Sequence, residues 1–381
     1  MELKKYIYIR NILLLCITCN LLFFIFPFRP IIWRTIFTAL CIYCCVMNAK
    51  YYKYTGVEKS LLVFCGLNMV HFVLSFMWLD PSTTQIGNTL FTLLSFIAFA
   101  FLGKKGVITD KFITVATIIL TIAAIPYYNH MYSRMSDLLG GRENVVVNAS
   151  IVFVTLLPMV LIIKNKIISM GILCVCWFYI IMAVKRGNIV AAIIPTLIYM
   201  YYILKENKKN YFKLILLILA IVCIGKWGMA LMEGNEFFQK RLEETREGQT
   251  SGRNEIYASM WEFWYNTDNM VQLAFGHGFD ATVASDELLQ SRAHNDWLEI
   301  LVNFGLLGVI LYLLIFIALI RQISKTKDIH QKFILISITS VWFLKSLFSM
   351  GFTDEYTAIM AISYGYAVGM PRIVSSEALR R

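Results

Sequence analysis

The stretch that decides the fold runs from Ile300 to Ile320 and reads ILVNFGLLGVILYLLIFIALI. These residues include no charged side chain. A helix needs about 20 apolar residues to cross a hydrocarbon core about 30 Å thick. The stretch therefore predicts a membrane-spanning helix, which we place at 297–320.

Comparable apolar runs recur along the whole 381-residue chain, separated by short basic breaks or breaks that contain Gly or Pro. Hydrophobic residues make up 58% of the sequence and charged residues only 15%, whereas soluble domains carry about 25% charged residues. We therefore predict an all-α, polytopic transmembrane helical bundle of about 12 spans. The spans are placed at 8–27, 31–48, 61–79, 86–102, 112–128, 145–163, 167–184, 187–204, 211–231, 297–320, 332–350 and 353–370.

The net charge of +11 is explained by membrane topology. With a cytoplasmic N-terminus, 22 of the 35 Lys and Arg residues fall on inside segments and seven on short outside segments. By the positive-inside rule, both termini are then cytoplasmic, and nucleic acid is not expected as a partner. The first span ends in Phe26-Pro27-Phe28-Arg29-Pro30 without a small-residue cleavage site, so we interpret it as an uncleaved anchor.

Three segments follow from this topology. Residues 1–231 hold transmembrane helices 1–9, residues 232–296 form one large periplasmic loop between spans 9 and 10, and residues 297–381 hold helices 10–12 and a cytoplasmic tail. A shorter outside loop at 129–144 carries Arg134, Arg142 and the Gly140-Gly141 pair. The nine cysteines lie in or at the edges of spans, without the spacing of a disulfide framework or a zinc site.

The large loop contains an amphipathic helix from Arg253 onward, because its apolar residues recur at helical spacing. These residues are Ile256, Tyr257, Met260, Trp261 and Trp264. Such an aromatic face suits the interface between membrane and water. The alternative is a helix that only packs on the bundle.

Two cationic segments face outside. Lys185-Arg186-Gly187-Asn188 opposes the topology rule and predicts an anion site, where a guanidinium and a helix N-terminus converge on phosphate. The alternative is an interfacial anchor whose cations extend toward the lipid headgroups.

The second segment, Ser251-Gly252-Arg253-Asn254, opens the amphipathic helix. Arg253 shares one helical face with Tyr257 and Trp261, at i, i+4 and i+8. The alternative for Arg253 is a solvated loop charge paired with an acidic residue of the same helix, Glu255 or Glu262.

A third outside segment runs from Arg292 to Glu299 and leads into the tenth span. We predict Asp296 as the N-cap of that helix, which places His294 at the extracytoplasmic surface. A neutral imidazole there can act as a base, although most isolated histidines are structural. Lys345, inside the eleventh span, is expected to pair with Asp354 or Glu355, or to extend outward.

These segments resemble the O-antigen ligase/polymerase superfamily over roughly 145–320. His294-Asn295, Trp297-Leu298-Glu299 and the run Asn303 to Gly308 resemble its His-Asn-aromatic-Leu motif and trailing Gly-Leu-Leu-Gly. Lys185-Arg186-Gly187 and Ser251-Gly252-Arg253 resemble its two arginine segments, and Ala274 to Phe279 its Phe-Gly-x-Gly turn. Lys185 departs from the pattern, since relatives often have Ser there, and we assign that position no role.

The resemblance implies a membrane-embedded glycosyltransferase of the bacterial inner membrane with its active site facing the periplasm. Its donor would be an undecaprenyl-diphosphate-linked glycan, used without nucleotide sugar, metal or other cofactor. Arg186 and Arg253 would bind the diphosphate, and His294 would deprotonate the acceptor hydroxyl, with inversion at the anomeric carbon. Asn295, Asp296, Tyr257 and Trp261 would support the site.

Several alternatives stay open. The acceptor is a lipid A core for a ligase, or a second lipid-linked glycan for a repeat-unit polymerase, and the shared motifs do not separate these. The single large loop favours a ligase, whereas Arg134 and Arg142 favour a polymerase. A polysaccharide flippase or other transporter would show internal repeats and broken helices, and the sequence has no repeat. A structural scaffold does not explain cations placed against the topology rule.

Overall fold

The computed structural model describes residues 2–25, 30–138, 146–206, 253–284 and 292–378, with isolated positions between 215 and 243. This described part is helical and contains no strand. Seven of its helices are long and apolar enough to cross a membrane, and two shorter apolar helices accompany them. The chain is therefore a multi-pass helical membrane protein, as predicted. The count of twelve spans, the position of the termini and the loop topology stay predictions.

The described ranges form fourteen α-helices and two 3₁₀ turns, at Asn148–Ser150 and Glu355–Thr357. The helices are α1 Glu2–Leu21, α2 Pro30–Tyr51, α3 Gly56–Ser75, α4 Thr83–Lys104, α5 Asp110–Leu138, α6 Ile151–Val160, α7 Lys166–Met182, α8 Arg186–Glu206, α9 Arg253–Tyr265, α10 Met270–Phe275, α11 Ala281–Ala284, α12 Asp296–Lys325, α13 Ile329–Phe348 and α14 Ala358–Ala378.

These bounds bear on two predictions, the outside loop at 129–144 and the ninth span at 211–231. Helix α5 continues through Pro126 to Leu138, so the first half of the predicted loop 129–144 is helical. Arg142 and Gly140-Gly141 lie outside the described residues, as does most of the predicted ninth span at 211–231.

Helix α4 lies at the core of the bundle. In its most apolar stretch of 18 residues, 83% are buried. Helix α14 packs along it through glycines: a Cβ atom at Gly103 would overlap the Gly365 carbonyl, and one at Gly369 would lie 2.6 Å from the Gly103 carbonyl oxygen. Small residues let helix backbones approach closely in a membrane, where packing replaces the hydrophobic effect as the main cohesion between helices. Gly365 and Gly369 are four residues apart, so both lie on the face of α14 that contacts α4.

Helix α12 is broken at Gly305, whose φ of 61° and ψ of −160° are not helical. The turn between α10 and α11 fills the break: the His277 N–H donates to the Val302 carbonyl at 2.8 Å, and the Gly278 N–H to the Asn303 carbonyl at 3.1 Å. A Cβ at Gly305 would lie 2.5 Å from the carbonyl of Ala274. The predicted continuous span at 297–320 is therefore wrong in this respect.

The second part of α12, Leu306–Lys325, is about 30 Å long and can cross a bilayer by itself. The first part, Asp296–Phe304, is a short helix at the predicted outer face. Helix α9 packs on this first part, and the N-terminus of α8 packs on the C-terminal end of α13. These contacts gather the ends of four helices at one side of the molecule.

Candidate functional site

The backbone around His294 is fixed by the start of α12. His294 has a φ of 51°, in the left-handed region that non-glycine residues seldom occupy. Asn295 is the N-cap, because its Oδ1 accepts from the N–H groups of Trp297 at 2.9 Å and Leu298 at 3.3 Å. The prediction of Asp296 as N-cap is wrong by one residue, and Asp296 is the first residue of the helix.

Glu299 holds the other side of this segment. Its Oε1 accepts from the Ala293 N–H at 2.6 Å, and its Oε2 from the Thr282 hydroxyl at 2.6 Å. Asn295 and Glu299 together fix the backbone on both sides of His294. The sequence motif included Glu299 but gave no reason to assign it this role.

Strained backbone is concentrated at this end of the molecule. In the part of the chain that the structure describes, the non-glycine residues with positive φ are Val184, Asp280 and His294. Val184 precedes Lys185, and Asp280 forms an ion pair with Arg292 at 2.8 Å. Such conformations persist only where the surrounding structure imposes them, and they cluster at functional sites.

Lys185 is buried between helix ends, although the sequence gave no reason to assign it a role. Its Nζ donates to Asn148 Oδ1 at 2.9 Å and to Ser349 Oγ at 3.3 Å. Burial lowers the pKa of Lys185 to about 8, with Asp354 opposing the shift and Lys345 and Arg253 adding to it. Lys185 therefore lies within electrostatic reach of Arg253.

The two predicted arginines both lie at helix N-termini. Arg186 is half-buried and begins α8, where a Cβ at the next residue, Gly187, would meet Phe348 Cβ at 2.7 Å. Arg253 begins α9, and its Nη1 lies 3.4 Å from the Phe348 carbonyl oxygen. The starts of α8 and α9 thus meet at the end of α13. Ser251 and Gly252, also part of the second arginine segment, lie outside the described residues.

His294 is an exposed residue at the edge of this cluster, with protein around part of its ring. Loss of hydration from the surrounding protein, and then the positive charges of Lys185, Arg253 and Arg292, lower the pKa of His294 to about 4. The imidazole is therefore neutral at pH 7 and available as a proton acceptor. His294 is thus brought together with one cation from each of the three segments, Lys185, Arg253 and Arg292, while Arg186 follows Lys185 at the start of α8.

Asp296 connects the start of α12 to the segment that follows α13. It is fully buried, and its carboxylate accepts from the Gly351 N–H at 2.9 Å, the Phe352 N–H at 3.3 Å and the Tyr312 hydroxyl at 2.7 Å. These bonds tie the start of α12 to the segment 349–354 that follows α13. This segment also carries the Ser349 hydroxyl beside Lys185.

Lys345 belongs to the same network. Its Nζ pairs with Asp354 Oδ2 at 2.6 Å and donates to the Thr357 hydroxyl at 2.6 Å. Thr357 in turn donates to the Gly351 carbonyl at 2.7 Å. Of the expected partners for Lys345, the structure selects Asp354, while Glu355 pairs with Arg34.

The aromatic residues of α9 are divided between two environments. Met260 and Trp264 are buried against Ala293 and the first part of α12, and Tyr257 packs beside them. Trp261 is 49% exposed, and its ring lies parallel to that of Tyr265 with centroids 6.3 Å apart. The helix predicted from Arg253 is confirmed, but Tyr257 packs toward the His294 segment whereas Trp261 does not.

Chemically, this arrangement combines a neutral imidazole with several fixed cations. Such a cluster can bind a polyphosphate through charge-assisted hydrogen bonds while the imidazole accepts a proton from a nearby hydroxyl. Among the described residues, no three His, Cys, Asp or Glu side chains are grouped as candidate metal ligands.

The sequence also matches a known family. Residues 171–313 match the model of a family described as O-antigen ligase, a range that includes Arg186, Arg253, His294 and the break at Gly305. This match confirms the resemblance to the O-antigen ligase/polymerase superfamily. No curated protein matches the chain.

Proposed function

We propose, from the premise that this chain has the O-antigen ligase region of a membrane glycosyltransferase, that it transfers a glycan from an undecaprenyl-diphosphate-linked donor to an acceptor hydroxyl. The reaction takes place at the periplasmic face of a bundle of about twelve spans with cytoplasmic termini. Arg186 and Arg253 bind the diphosphate, and His294 accepts the proton of the acceptor hydroxyl. Lipid A core is the acceptor in this ligase-like reaction.

The observation that carries the proposal is the electrostatic contact between His294 and three cations from separate segments. Burial lowers the pKa of the His294 ring first, and the positive charges of Lys185, Arg253 and Arg292 lower it further. A diphosphate bound by Arg186 and Arg253 would offset the positive charge around His294 and make the imidazole more basic. Donor binding thus prepares the base for the reaction.

The chemical step follows from this arrangement. The acceptor oxygen attacks the anomeric carbon as its proton passes to the His294 imidazole. The bond between that carbon and the phosphate oxygen breaks, and its electron pair leaves with undecaprenyl diphosphate. The cations stabilise the negative charge that develops on the leaving diphosphate, which removes the need for a general acid. Attack opposite the leaving group inverts the anomeric configuration.

Two other functions were open from the sequence. A repeat-unit polymerase would use the same site with a second lipid-linked glycan as acceptor, and Arg134, exposed near the end of α5, is a candidate contact for that glycan. A flippase or transporter would use broken helices to line a substrate path. The break at Gly305 is instead filled by the turn at Gly276–Gly278, which favours a transferase.

The test is glycan transfer by the purified protein in nanodiscs, with lipid-linked donor extracted from the source strain. We expect His294→Ala and Arg253→Ala to abolish transfer while expression and the thermal unfolding midpoint are kept. His330→Ala and Arg321→Ala, at the opposite ends of α12 and α13, are the matched controls and retain activity. Full activity of the His294 and Arg253 variants would refute the proposal.

A deletion strain separates the ligase from the polymerase. A ligase defect removes surface polymer and leaves long lipid-linked chains, whereas a polymerase defect leaves single repeats attached to the core.

A further inference from the structure

A polar cleft lies beside the candidate site, at the same end of the molecule. It has a volume of about 610 Å³, within the range of about 300–1,000 Å³ that is typical of ligand pockets. It is formed by the end of α3, the second half of α9, α10 and the turn that follows α10. We call it the glycan cleft and define it by Trp78, Glu262, Phe263, Asn266, Gln272 and His277.

Aromatic rings form one wall of the glycan cleft and are held in place. Trp78 is 57% exposed, yet its Nε1 donates to the His277 carbonyl at 2.9 Å. The rings of Phe263 and His277 lie 4.3 Å apart between centroids. The electron-rich face of an accessible, fixed ring attracts the weakly positive C–H groups of a sugar face. The wall therefore suits a pyranose ring.

Hydrogen-bonding side chains line the rest of the glycan cleft. Glu262 is exposed on α9, and Asn266 is exposed in the turn that follows it. The Thr267 hydroxyl donates to Gln272 Oε1 at 2.7 Å, which fixes the orientation of the Gln272 amide. The described residues that line the cleft include one carboxylate and neither Lys nor Arg. This set disfavours phosphate or acidic sugars and favours neutral sugars or amino sugars, since hydroxyl groups both donate and accept.

The distance between the glycan cleft and the cationic cluster matches an oligosaccharide. Arg253 and Glu262 are nine residues apart on α9, which corresponds to about 14 Å along the helix. An apolar cluster that includes Met260, Ala281 and Ala293 connects the two. Ala281 also lines the cleft, and Ala293 precedes His294.

We propose that the glycan cleft binds a neutral or amino-sugar oligosaccharide belonging to one of the two transfer substrates, several sugar units from the reacting carbon. This inference rests on the proposed function. The diphosphate is bound by the cations, while the glycan is recognised by aromatic rings, amides and one carboxylate. The cleft thereby selects which glycan is transferred or which acceptor is used.

The experiment measures binding of soluble oligosaccharides to the full-length protein in nanodiscs by saturation-transfer NMR and calorimetry. One probe is the oligosaccharide released by mild acid from the strain's lipid-linked donor, and the other is its phosphate-free core oligosaccharide. We expect one probe to bind, and Glu262→Gln or Asn266→Ala to weaken that binding at least about tenfold through the loss of one or two good hydrogen bonds. Trp78→Ala should weaken it to a similar extent through the loss of the ring face on which the sugar stacks. The probe that binds identifies the substrate.

Glu255→Gln and Tyr265→Ala are matched controls, because both residues are exposed on the same helix and lie outside the glycan cleft. They leave binding unchanged. Arg253→Ala abolishes transfer but keeps oligosaccharide binding, which separates the two proposals. Binding without any transfer by the native protein would refute only the proposed function. The cleft proposal is overturned if neither probe binds the native protein, or if the cleft variants bind as tightly as the controls.

Discussion

Replacing Asp296 by Ala tests how the start of α12 is joined to the segment 349–354. The substitution removes the acceptor of two buried backbone donors, the N–H groups of Gly351 and Phe352. A buried donor without a partner costs about 1–3 kcal/mol, so we expect a destabilisation of about 2–6 kcal/mol. The Tyr312 hydroxyl loses the acceptor to which it donates but keeps its other hydrogen bond, in which it accepts from Trp342 Nε1 at 3.1 Å.

Asp296→Asn is the informative comparison, because it keeps the shape and one acceptor oxygen. The bond to Gly351 survives, while the amide N–H₂ group faces the second donor at Phe352. We expect Asp296→Asn to lower the free energy of unfolding by roughly 1–3 kcal/mol, half the effect of the Ala substitution. Transfer activity should be lower in the Asn variant than in the native protein and lowest in the Ala variant, because segment 349–354 holds the Ser349 hydroxyl that contacts Lys185.

Hydrogen–deuterium exchange of peptides covering 346–356 measures the effect directly. A loss of 2 kcal/mol corresponds to exchange about thirtyfold faster at Gly351 and Phe352 in the Ala variant, since about 1.4 kcal/mol is a factor of ten. The Asn variant should lie between the Ala variant and the native protein. Unchanged exchange in the Ala variant, with peptides of α4 as the internal reference, would refute the assigned role of Asp296.

Three further outcomes are expected. Because the pKa of Lys185 is lowered to about 8, its positive charge is lost as pH rises through that value. The value of kcat/KM should therefore fall near pH 8 in the native protein, and Lys185→Arg should move this fall to higher pH. Gly305→Ala should lower the thermal unfolding midpoint sharply, since a Cβ overlaps backbone at a positive φ, whereas Gly66→Ala, with open space around it, should not. Lys345→Met should destabilise by about 1–3 kcal/mol, because the partly buried Asp354 carboxylate loses its charged partner, and adding Asp354→Asn should recover part of that stability in thermal unfolding.

Local sequence patterns predicted the features that depend on neighbours along the chain. Apolar length indicated the helical membrane bundle, and helical spacing placed the start of the loop helix at Arg253, where α9 begins. Cations located against the topology rule pointed to the end of the molecule where Lys185, Arg253 and His294 meet. Each of these signals is contained in a short stretch of residues.

Features that depend on distant partners could not be predicted in this way. The break at Gly305 requires a turn some 30 residues earlier, and the run of apolar residues conceals it. Asp296 was a reasonable N-cap by residue type, but its carboxylate is used by backbone donors 55 residues later in the chain. Lys185 was set aside as a departure from the family pattern, and only its burial between three helix ends shows its place in the cluster.

The contact between the turn at Gly276–Gly278 and the break at Gly305 also sets limits on protein engineering. Gly276 and Gly305 tolerate no larger residue, because a Cβ at either one would overlap the backbone of the other segment. A chimaera that imports the segment before α12 from a relative must therefore take both segments from the same parent. Crossover points between 274 and 305 would join mismatched halves, whereas junctions on either side of that interval leave the pairing whole.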